Sequence, residues 1–157
     1  MSARMPTKAP EAASGFAEAH MLRGVDHPRM CSIGRPPATM SDGEAALAVV
    51  MRDCPGADLI MCVSDPLAFG VINARKRRGV RVPEDIAVAG FGDFEISLIA
   101  LPAITTVKVD PRTIGRMTAE LILTLRARGS KDRSPSPVIK RIETATGIRA
   151  SAPGKPI

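Results

Sequence analysis

The stretch GVRVPEDIAVAGFGDFE, residues 79–95, holds a glycine stop, a proline, a short apolar run and then glycine, aromatic and acid side by side. Gly79 suits the end of a helix, because glycine takes the left-handed conformation at little cost. Pro83 fixes the backbone of a turn over 80–85. IAVAGF (86–91) then reads as a buried strand, short and uniformly apolar. Gly92 and Asp93 fall at its carboxyl end.

Working outward, ADLIMCVS (57–64) is a second run of the same kind. Continuous apolar runs of strand length are what a parallel sheet covered on both faces requires. Between the two runs, Asp65-Pro66 predicts a helix start, with the aspartate as N-cap and the proline in the first turn. Leu67, Ala68, Val71, Ile72 and Ala74 supply that helix's apolar side. Upstream, Ser41-Asp42-Gly43-Glu44 predicts a capping box and a helix to about Asp53, closed by a Pro55-Gly56 turn. RMCSI (29–33) predicts a strand and GRPPATM (34–40) a loop, since prolines do not sit inside sheets. Residues 10–23 are alanine-rich and helical, with Ala12, Phe16 and Ala19 on one face and Gly24 as the stop; residues 1–9 have no period and are expected to fray.

Downstream, ITTVKV (104–109) predicts a third strand, and Asp110-Pro111 repeats the helix-opening pair. Ile114, Met117, Leu121, Ile122 and Leu125 form a helical stripe ending at Gly129. SKDRSPSP (130–137) reads as a solvated linker and VIKRIETA (138–145) as a last strand. Strands alternating with helices argue an α/β domain with a mostly parallel sheet and helices on both faces.

The 157 residues can bury a real core, and 45% of them are apolar. With four Phe and no Trp or Tyr, that core is built from aliphatic residues and Met, and base stacking on aromatic platforms is not expected. The net charge of +6 comes from basic residues spread along the chain. Their densest run, Arg75 to Arg78, sits at a helix C-terminus, where cations suit the helix dipole. Cys31, Cys54 and Cys62 make no CxxC pair, and His20 and His27 share no metal-ligand spacing with them, so neither a zinc site nor a disulfide framework is read from the spacing. The thiols suit a reducing cytoplasm. No apolar run is long enough to span a membrane, and no signal-peptide core is seen.

In open α/β sheets, ligands bind outside the carboxyl ends of the strands. Those ends carry Ser64 and Asp65 after the first run, and Phe91, Gly92 and Asp93 after the second. The glycine lets a ligand approach the backbone, and the acids can accept hydrogen bonds from hydroxyls. The plainer reading makes Asp65 a helix cap, and Asp93 either a cap or a ligand contact. Enzyme signatures are few. GFGDFE lacks the third glycine of a dinucleotide fingerprint. There is no phosphate loop, serine elbow, HExxH or Cys–His pairing. No cofactor is implied.

Three blocks together, residues 57–97, 102–123 and Arg149-Ala150-Ser151, resemble the ligand-sensing domain of lactose-repressor (LacI/GalR) type transcription regulators. GVRVPEDIAVAGFGD is similar to their gluconate-repressor branch. The resemblance implies a partial periplasmic-binding-protein-like (type I) fold and no enzymatic activity. Residues 10–104 would form the C-terminal lobe, 105–144 would cross to the N-terminal lobe, and 145–157 would be a return strand and tail. It further implies a sugar or sugar-acid effector such as gluconate, a cytoplasmic homodimer, and no membrane partner. Operator DNA would be bound only through the helix-turn-helix of full-length relatives, which this chain does not carry. Four positions depart from the family pattern: Ala12 replaces an arginine, Ala38 an aromatic platform, Ser64 the asparagine of an Asn-Asp pair, and Gly92 a sugar-contacting aspartate. A free sugar-binding protein, a small Rossmann-like enzyme, or a remnant without its own function are the rival readings.

Overall fold

The computed structural model describes residues 11–24, 29, 31, 37–127 and 138–154. The first helix is α1 (Glu11–Leu22), and α2 (Asp42–Asp53) leads into strand β1 (Leu59–Met61). Helix α3 (Asp65–Arg78) connects β1 to β2 (Ala87–Gly92), and the short α4 (Ile96–Ile99) precedes β3 (Thr105–Lys108). Helix α5 (Pro111–Ala127) and strand β4 (Ala145–Gly147) complete the chain. The sheet runs β1-β2-β3-β4, parallel across the first three strands and antiparallel at the last. The expected α/β class with a mostly parallel sheet is what forms.

The predicted punctuation holds where it is local. Gly79 caps α3 in the left-handed region at φ 66°, and Gly24 follows α1 at φ 67°. Val82 and Ile86, on either side of the Pro83 turn, are buried in the core. Other expectations are corrected. Ser41 is helical and makes no side-chain cap, so the predicted box does not form. Instead the Thr39 amide and hydroxyl both donate to Asp42 Oδ2 at 2.8 Å, while Glu44 is drawn away to Arg77. The last strand begins at Ala145 rather than at 138, because a strand forms only opposite a partner and β3 offers four residues. The predicted strand at 29–33, the stop at Gly129, the linker at 130–137 and the frayed 1–9 lie largely outside the described residues. Arg29 and Cys31, which are described, are not in a strand.

The core lies between the sheet and the α2–α3 pair. Leu47 of α2, Val71 and Ala68 of α3, and Val88 and Ile104 from the sheet side are each at most 1% exposed. Along β1 the apolar run is continuous but its burial is not. Ile60 and Cys62 face the core, while Leu59 and Met61 are 39% and 38% exposed.

Helices α2 and α3 approach at two glycines. A Cβ on Gly43 would sit 2.2 Å from the Gly70 carbonyl carbon, and one on Gly70 would sit 2.0 Å from the Met40 oxygen. Both obstacles are backbone, so they cannot be relieved by rotating a side chain. We predict that Gly70→Ala costs about 2–3 kcal/mol, by analogy with overpacking in cores, seen as a lowered urea midpoint. Gly15→Ala, on open helix surface with nothing within 4 Å, should be neutral or slightly stabilising in the same assay.

Candidate functional site

The carboxyl ends of β1, β2 and β3 lie along one edge of the sheet because the three strands are parallel. Ser64, Asp65, Phe91, Gly92, Asp93 and Lys108 are therefore neighbours at this edge.

Ser64, not Asp65, is the cap of α3. Its backbone is extended, and its hydroxyl accepts from the Leu67 amide at 3.4 Å. Asp65 is the first helical residue, and its side chain turns across the sheet. It is fully buried. Its Oδ1 accepts from the Thr106 hydroxyl at 2.6 Å, and its Oδ2 accepts from the Phe94 amide at 2.8 Å. Gly90 makes room for it, since a Cβ there would lie 2.2 Å from Asp65 Oδ1. One carboxylate thus links the start of α3, the loop after β2 and the middle of β3. Both of its oxygens are engaged inside the protein, which makes Asp65 a positioning residue. The later Asp-Pro pair behaves differently: Asp110 stays exposed and accepts from the Arg112 amide at 2.9 Å and the Thr113 hydroxyl at 2.6 Å.

Gly92 and Asp93 make the turn out of β2. Gly92 has φ 122° and Asp93 φ 56°, the one non-glycine residue with positive φ among those described. A Cβ on Gly92 would also strike the Phe94 ring at 2.3 Å. Glycine is favoured here by the backbone of the turn, before any ligand is considered, whereas the exposed Phe94 ring could turn aside. Asp93 keeps 26% of its side chain exposed. Its Oδ1 accepts from Arg149 Nη2 at 2.6 Å, and Lys108 Nζ stands 3.6 Å from Oδ2. The hydrogen bond from Arg149, with the nearby Arg149 and Lys108 charges, holds the Asp93 carboxyl below the usual carboxylate range. Phe91 is 39% exposed at the strand's end.

Arg149 is a member of this site that residue types near the strand ends did not reveal. Its guanidinium, 14% exposed, donates to Asp93, to Ser97 Oγ at 3.0 Å and to the Ile104 carbonyl at 2.8 Å. The visible signal was the Arg149-Ala150-Ser151 triplet, whose serine has its own structural task. Buried Ser151 Oγ donates to the Val88 carbonyl at 2.5 Å and accepts from the Thr105 amide at 2.9 Å, stitching β2 to β3. The arrangement is a polar cluster suited to hydroxyl and anion recognition. Ala38 packs against the core cluster and adds no polar group to the site. His20 turns inward to its own helix, its Nδ1 2.9 Å from the Phe16 carbonyl oxygen.

A match to the periplasmic binding protein-like domain spans residues 3–152. The chain belongs to that family. Its relatives are LacI-type regulators, as the resemblance implied. The chain is 32% identical over 113 residues to the HTH-type transcriptional regulator GntR of Pseudomonas aeruginosa, covering 72% of this chain and 33% of that protein. It is 29% identical over 142 residues to the regulator CelR of Thermobifida fusca, covering 90% and 40%. Among solved structures, a LacI family regulator from Silicibacter pomeroyi matches with TM-score 0.76 and 37% identity over 91% of this chain and 50% of that one. A CelR–cellobiose complex matches with TM-score 0.75 and 29% identity, over 88% and 41%. The chain spans about a third of the curated relatives GntR and MalR.

Removing the Asp65 carboxylate would leave the Thr106 hydroxyl and the Phe94 amide without an acceptor. We predict that Asp65→Ala lowers stability by about 3 kcal/mol, and Asp65→Asn by less, since one acceptor oxygen remains. Chemical denaturation of the three proteins checks the order; equal stability of Asp65→Ala and the parent would contradict this role.

Proposed function

We propose that the chain is the effector-sensing part of a LacI-type transcriptional regulator and binds a sugar or sugar acid, gluconate being the leading candidate. The observation that carries this reading is the convergence of Ser64, Asp93, Lys108 and Arg149 on the sheet edge formed by parallel strand ends. Asp93 is central: one oxygen is fixed by Arg149, and the other is only loosely held by Lys108. A ligand hydroxyl can donate to that second oxygen, and Lys108 can meet an anionic group. Phe91 offers an apolar surface and Gly92 an open approach to the backbone, while Asp65 holds the loop in place from below. The cellobiose complex of the similar regulator CelR supports a carbohydrate ligand.

In the domain reading, residues 10–104 belong to the C-terminal lobe, 105–144 lead from its sheet, where β3 pairs with β2, toward a second lobe, and 145–157 are a return strand and tail. Helix α5 supports this, because it is amphipathic and yet has no buried residue, with Ile122 and Leu123 at 52% and 65% exposure. Such a stripe is made to face a partner surface. In this reading the effector binds between the lobes of a homodimer in the cytoplasm. Operator DNA is contacted by the helix-turn-helix for which the HTH-type relatives are named. Coupling between the two ligands is a linkage free energy. No helix among the described residues is long and apolar enough to cross a membrane. Catalysis is no part of the proposal.

The test is thermal unfolding against a panel of aldonic acids and neutral sugars. A ligand of the native state at 100 times its Kd stabilises by about 2.7 kcal/mol, a shift of several degrees. We expect such a shift with one class of ligand and its loss in Asp93→Ala. A cooperative melt indifferent to every sugar and sugar acid would refute the proposal.

A further inference from the structure

We propose that Lys108, seated in the gap that Gly147 leaves on β4, is the specificity-determining residue of this site and selects a 2-hydroxy carboxylate, its ammonium taking the ligand's carboxylate beside the hydroxyl that Asp93 accepts. This rests on the effector-site reading above and names the end of the ligand that the site recognises. Lys108 ends β3, where it lies opposite Gly92 of β2 and Ala145 of β4. Neither neighbour carries a side chain longer than a methyl group. The diagonal neighbour on β4 is Gly147, close enough to matter to a long side chain. A Cβ on Gly147 would sit 2.6 Å from Lys108 Cε and 3.6 Å from its Cγ. The lysine stem therefore lies over bare backbone of β4, and its ammonium reaches the turn after β2. There it stands 3.6 Å from Asp93 Oδ2. The same gap admits the second cation: Arg149 Nη2 is 3.6 Å from the place a Gly147 Cβ would take.

The two cations differ in what they have left to give. Arg149 is 14% exposed, and its guanidinium is spent on Asp93 Oδ1, Ser97 Oγ and the Ile104 carbonyl. Turning it to a ligand would break those bonds. Lys108 is 47% exposed, and its one ion pair among the described residues, with Asp93, is longer than an ordinary hydrogen bond. An ammonium has three donors, so Lys108 can meet a ligand without giving up a bond. Asp93 is its complement, with Oδ1 taken by Arg149 and Oδ2 open. A donor and an acceptor thus stand side by side at the rim. A hydroxyl next to a carboxylate presents the reverse pair: the hydroxyl donates to Oδ2 and the carboxylate accepts from Nζ. A neutral aldose offers the hydroxyl but no charge for Lys108. The plainer reading of Lys108 and Asp93 is a surface ion pair, which contributes little to stability. The two readings separate in experiment. Loss of Lys108 changes ligand choice in the first and changes nothing in the second.

The experiment is isothermal titration calorimetry on the full 157-residue chain with a panel of aldonic acids, their 2-deoxy counterparts and the parent aldoses. We expect one aldonate to bind more tightly than its aldose and than its 2-deoxy form, by about tenfold in each case, the size of one hydrogen bond to a charged group. Lys108→Met should remove most of the preference for the acid over the aldose while the ligand-free melting temperature stays where it is. Gly147→Ala should weaken the aldonate in the same direction by a smaller factor, and should do nothing further once Lys108 is replaced. An aldose or a 2-deoxy acid that binds as tightly as the aldonate, or a preference for the acid that survives Lys108→Met, would overturn the proposal and leave the effector site standing. An equal loss from Gly147→Ala with and without Lys108 would overturn the seating of the lysine by that glycine. A chain that binds no member of the panel would overturn this proposal and the effector-site reading together.

Discussion

The buried carboxylate of Asp65 is the contact on which the sheet edge depends. A carboxylate taken wholly out of water is costly unless its oxygens find donors. Here the donors come from two other parts of the chain, the Phe94 amide and the Thr106 hydroxyl. The requirement propagates. Gly90 cannot carry a side chain, because Asp65 occupies its space. Thr106 must present a hydroxyl, which fixes the β2–β3 register at Gly90 opposite Thr106. The loop after β2 must bend so that its amide points inward, and the positive φ of Gly92 and Asp93 produces that bend.

A second tie lies above the first. Arg149 grips Asp93, Ser97 and the Ile104 carbonyl from the segment just after β4. Two residues later Ser151 joins Val88 to Thr105. The site therefore has a rigid floor, set by Asp65 and Ser151, and a more open rim of Asp93, Lys108 and Phe91. Specificity in such a site comes from a few placed polar groups on a preformed surface. The charged groups on that rim are Asp93 and Lys108, with Arg149 behind them.

Much of the fold was legible because its signals are local. Apolar runs announced β1 and β2, and glycines announced where α1 and α3 end. Local chemistry misled where distant partners intervened. Ser41-x-x-Glu44 has the spacing of a capping box, but Arg77 of α3 takes Glu44 and Asp42 serves Thr39 instead. Asp65-Pro66 and Asp110-Pro111 look alike in sequence, yet only Asp110 caps its helix. The difference is Thr106 and Phe94, which are 41 and 29 residues from Asp65. Arg149 shows the same limit at the site: nothing near it in sequence points to Asp93, which lies 56 residues away. The strand ends named Ser64, Phe91, Gly92 and Asp93 as neighbours, since parallel strands align their carboxyl ends whatever the side chains do.

Native-state hydrogen exchange at the Phe94 amide tests the central claim most directly. If the Asp65 carboxylate ties the strand ends together, that amide exchanges only when the whole domain opens, like the core amide of Val88. Amides on helix α5, which buries none of its residues among those described, should exchange through far cheaper local openings. A Phe94 amide that exchanges as fast as those of α5, while Val88 stays protected, would contradict the account. It would show that the loop after β2 opens freely and that Asp65 does not hold it.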